Sequence, residues 1–183
     1  MAAGHPDIER VLVTQEQLAE RITAMGAAIS ADYRGRDLLI IGVLKGAAWF
    51  VADLTRALDI DFTVDFMAVS SYGNAHKSSG VVRILKDLDT PIEGRHVLIA
   101  EDILDTGLTL KYLARNFRTR GAASVEIAAC VVKEDAQEEP MSIPYVGFVI
   151  PNEFVVGYGL DYSEHYRGLP YIGLLKPAIY EGN

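Results

Sequence analysis

Residues 97–110 have the sequence VLIAEDILDTGLTL. The apolar run at its start predicts a buried strand, and the leucine spacing at its end predicts a helix. The Asp-Thr-Gly turn between them leaves free backbone N–H groups at the positive end of the helix dipole. Gly107 lets a ligand approach the backbone closely. The stretch therefore predicts a strand, an anion-binding turn and a helix, in that order.

The polar side chains of this stretch favour a phosphorylated sugar as its ligand. Thr106 and Thr109 add hydroxyl donors beside the turn. Glu101 and Asp102 come at the carboxyl end of the predicted strand, where open parallel sheets bind ligands. Two carboxylates repel a phosphate unless a cation or sugar hydroxyl groups lie between them, and a ribose phosphate with Mg²⁺ supplies both. The alternative is that Asp105 and Thr106 only cap the helix.

Strand and helix patterns alternate on both sides of this stretch. Strands are predicted at residues 37–44, 62–69, 81–88, 96–101 and 124–132. Helices are predicted at residues 15–33, 47–58 and 108–120, the first of them opening with a capping box at residues 14–17. The alternation predicts an α/β fold with a central parallel sheet flanked by helices. Short apolar stretches at residues 145–150, 155–157 and 171–175 predict a small β-rich hood.

Composition limits the possible classes of protein. The chain has 183 residues, 50% of them hydrophobic, which fits a single domain over residues 1–183. Its net charge of −8 disfavours nucleic acid as a partner. No apolar run is long enough for a membrane span, and the N-terminus lacks the pattern of a signal peptide. Because the single cysteine, Cys130, has no partner for an internal disulfide, we expect a cytoplasmic protein.

Two further segments have both a ligand-binding and a structural interpretation. Lys45-Gly46 follows a predicted strand, and the glycine would let backbone N–H groups face an anion. The alternative there is an ordinary turn with a surface lysine. Residues 70–80 have no apolar periodicity, and they predict either a lid over a site or an exposed loop.

Lys133 and the pair Phe154-Val155 also have two interpretations each. Lys133 follows an apolar strand and precedes acids, so it could bind a ligand or pair in solvent with Glu134 or Asp135. Phe154 and Val155 could stack against a ring or pack in the core. Local sequence alone favours the structural interpretation at each position.

Residues 97–110 resemble the 5-phosphoribosyl-1-diphosphate (PRPP) motif of type I phosphoribosyltransferases. Further matches follow in the family's order at residues 42–46 (GVLKG), at Ser71-Tyr72, at Lys133 and at residues 154–167 (FVVGYGLDYSEHYR). The resemblance extends over residues 8–177 and is to the bacterial hypoxanthine-guanine type. It implies the type I phosphoribosyltransferase fold and a purine-salvage enzyme that assembles as a homodimer or homotetramer. Such an enzyme uses Mg²⁺ and converts PRPP and hypoxanthine or guanine into a nucleoside monophosphate and pyrophosphate.

The resemblance also implies a role for each matching residue. The 5′-phosphate and ribose would be held by Glu101, Asp102, Asp105, Thr106, Gly107, Leu108 and Thr109. Pyrophosphate would be held by Lys45, Gly46 and Arg167, the purine by Lys133, Phe154, Val155 and Asp161, and the metal by Glu101, Asp102 and Asp161. Asp105 would act as the general base, and Ser71 and Tyr72 would belong to the lid. The family also implies a cis peptide bond between Leu44 and Lys45.

The proposed role of Lys133 has a simple chemical basis. In the family this lysine donates a hydrogen bond to O6 of the base. An ammonium group has three donors and no acceptor, so it suits the C6 carbonyl of hypoxanthine or guanine. Adenine carries an amino donor at C6 and would leave two donors facing each other, a buried mismatch of about 1–3 kcal/mol.

The sequence departs from many relatives at two places. Leu108 is apolar where some relatives carry lysine or asparagine, and Glu134-Asp135-Ala136 replaces proline and basic residues. Two other functions stay open at this point: transfer to another base such as xanthine, and a non-enzymatic regulator that binds RNA. The net charge of −8 argues against the RNA-binding alternative.

Overall fold

The structure is a computed structural model and describes residues 4–72, 81–134 and 141–181. The strands are β1 (Ile8–Val13), β2 (Leu38–Leu44), β3 (Phe62–Tyr72), β4 (Val81–Lys86), β5 (His96–Leu104), β6 (Ser124–Lys133), β7 (Tyr145–Ile150), β8 (Val155–Val156) and β9 (Ile172–Leu175). The helices are α1 (Gln15–Tyr33), α2 (Ala47–Arg56), α3 (Leu108–Thr119) and α4 (Pro177–Tyr180).

The predicted parallel sheet is confirmed. Its six strands lie in the order β4-β3-β2-β5-β6-β7, and all neighbours run parallel except β3 and β4. The chain moves outward in opposite directions from β2 and β5, which pair from Leu38 opposite His96 to Gly42 opposite Ala100. The segments that follow these two strands therefore meet at one edge of the sheet, where ligands bind in open α/β folds.

The unbroken apolar run of β2 is explained by burial on both faces of the sheet. Leu38 and Ile40 pack in the core cluster that contains the apolar faces of α1 and α2. Leu39 and Ile41 pack in the cluster that contains the apolar face of α3. All four side chains are at most 1% exposed. The central strands therefore form a rigid support for the segments at their carboxyl ends.

The predicted β-rich hood is confirmed in part. Strands β8 and β9 do form a small antiparallel sheet, but its third strand is β1, which was not predicted. Glu9 and Arg10 of β1 are both exposed and polar, so the alternation of apolar and polar residues that is typical of a strand is weak. Strand β7 does not belong to the hood, because it pairs in parallel with β6 and completes the main sheet.

Three predicted strand ends differ from the structure by two or more residues. Strand β4 ends at Lys86 instead of at residue 88. The other two lie near the candidate site. Strand β5 continues past Glu101 to Leu104, because β6 supplies pairing partners as far as Val132. Strand β3 continues through Ser71 and Tyr72, whose backbones pair with β4, so these two residues begin no loop. Residues 73–80, the remainder of the predicted lid, lie outside the described residues.

Helix α1 has the predicted bounds, and its capping box is present. The Thr14 hydroxyl accepts from the backbone N–H of Gln17, and the Gln17 side chain accepts from the N–H of Thr14. Helix α2 ends at Arg56, two residues before its predicted end. Within the described ranges, no helix is both long enough and apolar enough to cross a membrane.

Candidate active site

The turn between β5 and α3 has the geometry of an anion-binding site. Helix α3 begins after Gly107, which has a φ of +79°, and among the described residues no side-chain cap is seen at its first turn. The interpretation of Asp105 and Thr106 as helix caps is therefore wrong, and the free N–H groups of the first turn remain available to a ligand. Gly107 suits this position because other residues rarely adopt its left-handed backbone conformation.

A cavity of about 240 Å³ lies directly beside this turn. Its lining comprises Val43, Val69, Glu101, Asp102, Ile103, Leu104, Asp105, Thr106, Gly107, Thr109 and Leu110. All the residues predicted to hold ribose and 5′-phosphate are among them except Leu108. Val43 and Val69 were not predicted, because they lie on β2 and β3 and look like ordinary core residues in the sequence.

A second cavity, of about 210 Å³, adjoins the first. It is lined by Asp102, Ile103, Asp105, Lys133, Phe154, Val155, Leu160 and Asp161. The four residues predicted for purine binding thus come together from β6, from β8 and from the segments directly before and after β8. The two cavities share Asp102, Ile103 and Asp105, so a ligand that fills both passes beside the Asp105 carboxylate.

Lys133 and Asp105 face each other at the junction of the two cavities. Lys133 Nζ lies 3.5 Å from Asp105 Oδ2, and the lysine side chain is only 16% exposed. The interpretation of Lys133 as a solvated surface lysine is therefore wrong. Phe154 and Val155 differ in burial: Val155 is 5% exposed, whereas Phe154 is 37% exposed.

The Lys45-Gly46 segment packs against the acidic end of β5. The peptide bond between Leu44 and Lys45 is cis, as the family resemblance predicts. A Cβ atom at Gly46 would overlap the carboxylate of Asp102, so only glycine fits here without rearrangement. Neither Lys45 nor Gly46 lines the two cavities, and both lie at the edge of the site.

Arg167 is held at the same edge by three contacts. Its Nη1 donates to the Gly159 carbonyl over 2.7 Å, and its Nη2 lies 2.9 Å from Asp161 Oδ1. The Glu164 carboxylate bridges Arg167 and Lys45, at 3.3 Å from Arg167 Nη2 and 3.0 Å from Lys45 Nζ. The structure therefore gathers the three residues predicted for pyrophosphate binding, with Lys45 and Arg167 joined through one carboxylate.

Carboxylates dominate the electrostatics of the site. Burial and the neighbouring charge of Asp102 raise the pKa of Glu101 well above its usual value. A divalent cation near this pair would offset the repulsion between the two charges. No group of three or more candidate metal ligands occurs among the described residues, so the protein alone offers an incomplete shell. This donor set fits Mg²⁺, which binds through one or two carboxylates together with substrate oxygens and water.

The segment from Gly157 to Arg167 has an unusual backbone. Tyr158, Ser163, Glu164 and Tyr166 all have positive φ angles between 50° and 73°. Non-glycine residues rarely adopt this conformation, and it concentrates at functional sites. Gly157 and Gly159 have φ angles of 100° and 96° and meet no such restriction. This irregular backbone, neither helix nor strand, places Asp161 and Arg167 at the site.

We expect the Gly159→Ala substitution to destabilise the protein by about 2 kcal/mol or more. Alanine is strained at a φ of 96°, and its Cβ would overlap the Gly46 carbonyl oxygen. Gly168→Ala is the matched control, because a Cβ there meets no atom within 4 Å. Urea unfolding of both variants measures the effect. Equal unfolding midpoints for the two variants would contradict the close approach of Gly159 to Gly46.

Comparisons with known proteins agree on one family. The phosphoribosyl transferase domain family matches residues 12–163. Hypoxanthine-guanine phosphoribosyltransferase of Bacillus subtilis is 51% identical over 175 residues, which cover 96% of this chain and 97% of that protein. A solved structure of a hypoxanthine phosphoribosyltransferase from Staphylococcus aureus superposes with a TM-score of 0.93 at 46% identity and covers 96% of both chains.

A longer relative also matches. The bifunctional TilS/HprT protein of Listeria innocua is 52% identical over 176 residues, which cover 96% of this chain but only 27% of that protein. The fold is that of the phosphoribosyltransferase class. The chain belongs to the phosphoribosyl transferase family, and within it to the hypoxanthine-guanine phosphoribosyltransferases.

Proposed function

We propose that the protein transfers the 5-phosphoribosyl group of PRPP to hypoxanthine or guanine and so salvages purine bases. One observation carries this proposal: the base-binding candidates Lys133, Phe154, Val155 and Asp161 line a cavity that adjoins the anion-binding turn through Asp105. The reaction needs this arrangement, because the base must approach C1 of a ribose whose 5′-phosphate is held elsewhere.

In the proposed reaction a purine ring nitrogen attacks C1 of the ribose. The bond between C1 and pyrophosphate breaks, and its electron pair leaves with the pyrophosphate. The proton on the attacking nitrogen passes to the Asp105 carboxylate. Asp105 is suited to this step because it lies at the junction of the two cavities and its side chain is 56% exposed.

The anion-binding turn would fix the position of C1. Backbone N–H groups at the start of α3 and the hydroxyls of Thr106 and Thr109 would hold the 5′-phosphate, with Gly107 allowing close approach. Leu108 would contribute only its backbone N–H, because its side chain is apolar. Glu101 and Asp102 would accept hydrogen bonds from the ribose hydroxyl groups.

Lys45, Gly46 and Arg167 would stabilise the leaving pyrophosphate. Two cationic side chains at one edge of the site offset the charge that develops on the leaving group. Glu101 and Asp102 near the end of β5 would hold Mg²⁺, and Asp161 would hold it separately, since no three such residues form one group in the described part of the chain. When bound, the metal would supply further positive charge to the pyrophosphate. Ser71 and Tyr72, at the end of β3, precede the segment that would form the lid.

A direct assay tests this function. Purified protein is incubated with PRPP, Mg²⁺ and each of four bases: hypoxanthine, guanine, xanthine and adenine. We expect nucleoside monophosphate and pyrophosphate from hypoxanthine and guanine and little product from adenine. Comparable rates with adenine would overturn the assigned role of Lys133, and a preference for xanthine would assign a different substrate to the same site. No product with any base would overturn the proposed function.

Assembly and location form a separate part of the proposal. We propose a homodimer or homotetramer in the cytoplasm, in keeping with the family and with a single, buried, unpaired cysteine, Cys130. Light scattering after size-exclusion chromatography measures the oligomeric state. Cell fractionation measures the location, and recovery with membranes would contradict it.

A further inference from the structure

Phe154 is in contact with a second aromatic ring that the proposed function does not use. The Tyr180 ring stacks on Phe154, with a centroid distance of 5.0 Å and an interplanar angle of 22°. Tyr162 meets the same phenylalanine nearly at a right angle, with a centroid distance of 5.6 Å. Phe154 lines the second cavity, which we call the base cavity because the purine base would bind there, whereas Tyr180 does not. Tyr180 therefore stacks on Phe154 without itself lining the cavity.

The Phe154 side chain is only partly buried, so a contact behind its ring can restrict its motion. It is 37% exposed and comes before β8, which has only two residues. A side chain in that position has rotamer freedom, which it loses when a ligand stacks on it. A stacked tyrosine behind the ring removes part of that freedom before the ligand arrives.

The position of Tyr180 is itself fixed by the hood. The backbone N–H of Lys176 donates to the Asp7 carbonyl over 3.0 Å, and its Nζ donates to the Pro6 carbonyl over 2.6 Å. The N–H of Leu175 donates to the Phe154 carbonyl over 3.0 Å. These bonds tie the start of α4 to the N-terminal segment and to the backbone of the very residue on which Tyr180 stacks.

We propose that Tyr180 is a positioning residue for the base. Its ring holds Phe154 in the orientation in which Phe154 faces the cavity, so that the C-terminal helix α4 contributes to base affinity without touching the base. This inference rests on the proposed function, since it assumes that a purine occupies the cavity beside Phe154. It concerns the base alone, because no residue of α4 lines the cavity at the anion-binding turn.

Steady-state kinetics of the whole protein test this inference. We expect Tyr180→Ala to raise the KM for hypoxanthine about 3- to 10-fold, the range of a lost aromatic pair. The KM for PRPP and kcat should stay within about 2-fold of wild type. Tyr180→Phe should restore the KM for hypoxanthine, because it keeps the ring and removes only the hydroxyl. Tyr112→Ala is the control and should behave as wild type, because Tyr112 is 37% exposed on α3 and lines neither cavity.

Several results would overturn the positioning role of Tyr180. An unchanged KM for hypoxanthine in Tyr180→Ala, or an equal rise in both KM values, would overturn the positioning role, as would a failure of Tyr180→Phe to restore affinity. If Tyr180→Ala unfolds at the assay temperature, Tyr180→Leu takes its place with the same expected split between the two KM values. A wild-type protein that is inactive with hypoxanthine overturns the proposed function instead, so the two failures are distinguishable.

Discussion

The Asp105→Asn variant should turn over hypoxanthine about 10²- to 10⁴-fold more slowly than the wild type, the usual cost of losing a general base. Asparagine keeps the size and shape of the side chain but cannot accept the proton of the purine ring nitrogen. The anion-binding turn depends on Gly107 and the start of α3 and not on this carboxylate. Binding of PRPP should therefore change far less than turnover.

Two measurements separate chemistry from binding in this variant. Single-turnover kinetics give the rate of the chemical step, and calorimetry gives the Kd for PRPP. Asp59→Asn is a suitable control, because Asp59 is exposed and pairs only distantly with Arg34, at 3.9 Å. Wild-type turnover in Asp105→Asn would show that another group takes the proton. A loss of PRPP affinity as large as the loss of turnover would make Asp105 a binding residue.

The central strands and the anion-binding turn were predictable because their signals are local. Strands β2 and β5 are buried on both faces and so appear as unbroken apolar runs. The end of β5 was not predictable, since Glu101 and Asp102 interrupt the apolar run while pairing with β6 continues to Leu104. Acidic residues inside a strand look like its end when the neighbouring strand is not known.

Strand β1 and helix α4 were missed for a related reason. Both are short edge elements, and the partner of β1 is β9, which lies at the opposite end of the chain. The pairing of Ile8 with Leu175 is a long-range contact that no local pattern of residues indicates. The stack of Tyr180 on Phe154 depends on the same long-range packing, so the sequence does not predict it either.

The purine-binding residues show where local sequence stops being informative. Lys133 precedes acids and looks like a solvated lysine, yet it lies beside Asp105 and is 16% exposed. The parallel pairing of β5 with β6 brings the end of each strand to the same edge of the sheet. Only the family resemblance assigned Lys133 to a base site, and its role there stays a prediction, as does the single-domain organisation of the chain.

Replacing Lys133 by methionine should therefore lower kcat/KM for hypoxanthine and guanine by about 10- to 100-fold. Methionine keeps the apolar stem of the side chain but removes the ammonium group. O6 of the base then loses its donor at a position where the side chain is only 16% exposed, at a cost of about 1–3 kcal/mol. Adenine places a donor at the same position, so we expect kcat/KM for adenine to change little. The preference for 6-oxopurines over adenine should fall by a similar factor.

Competition between bases in one assay measures this preference directly. Wild type and Lys133→Met are each given PRPP with a mixture of hypoxanthine and adenine, and the ratio of the two nucleoside monophosphates is followed. Lys133 lines the base cavity and not the cavity at the anion-binding turn, so the Kd for PRPP serves as the internal control and should hold within a few fold. An unchanged product ratio would mean that another donor recognises position 6. A large loss of PRPP affinity would instead trace the defect to Asp105, whose carboxylate lies 3.5 Å from the lysine Nζ.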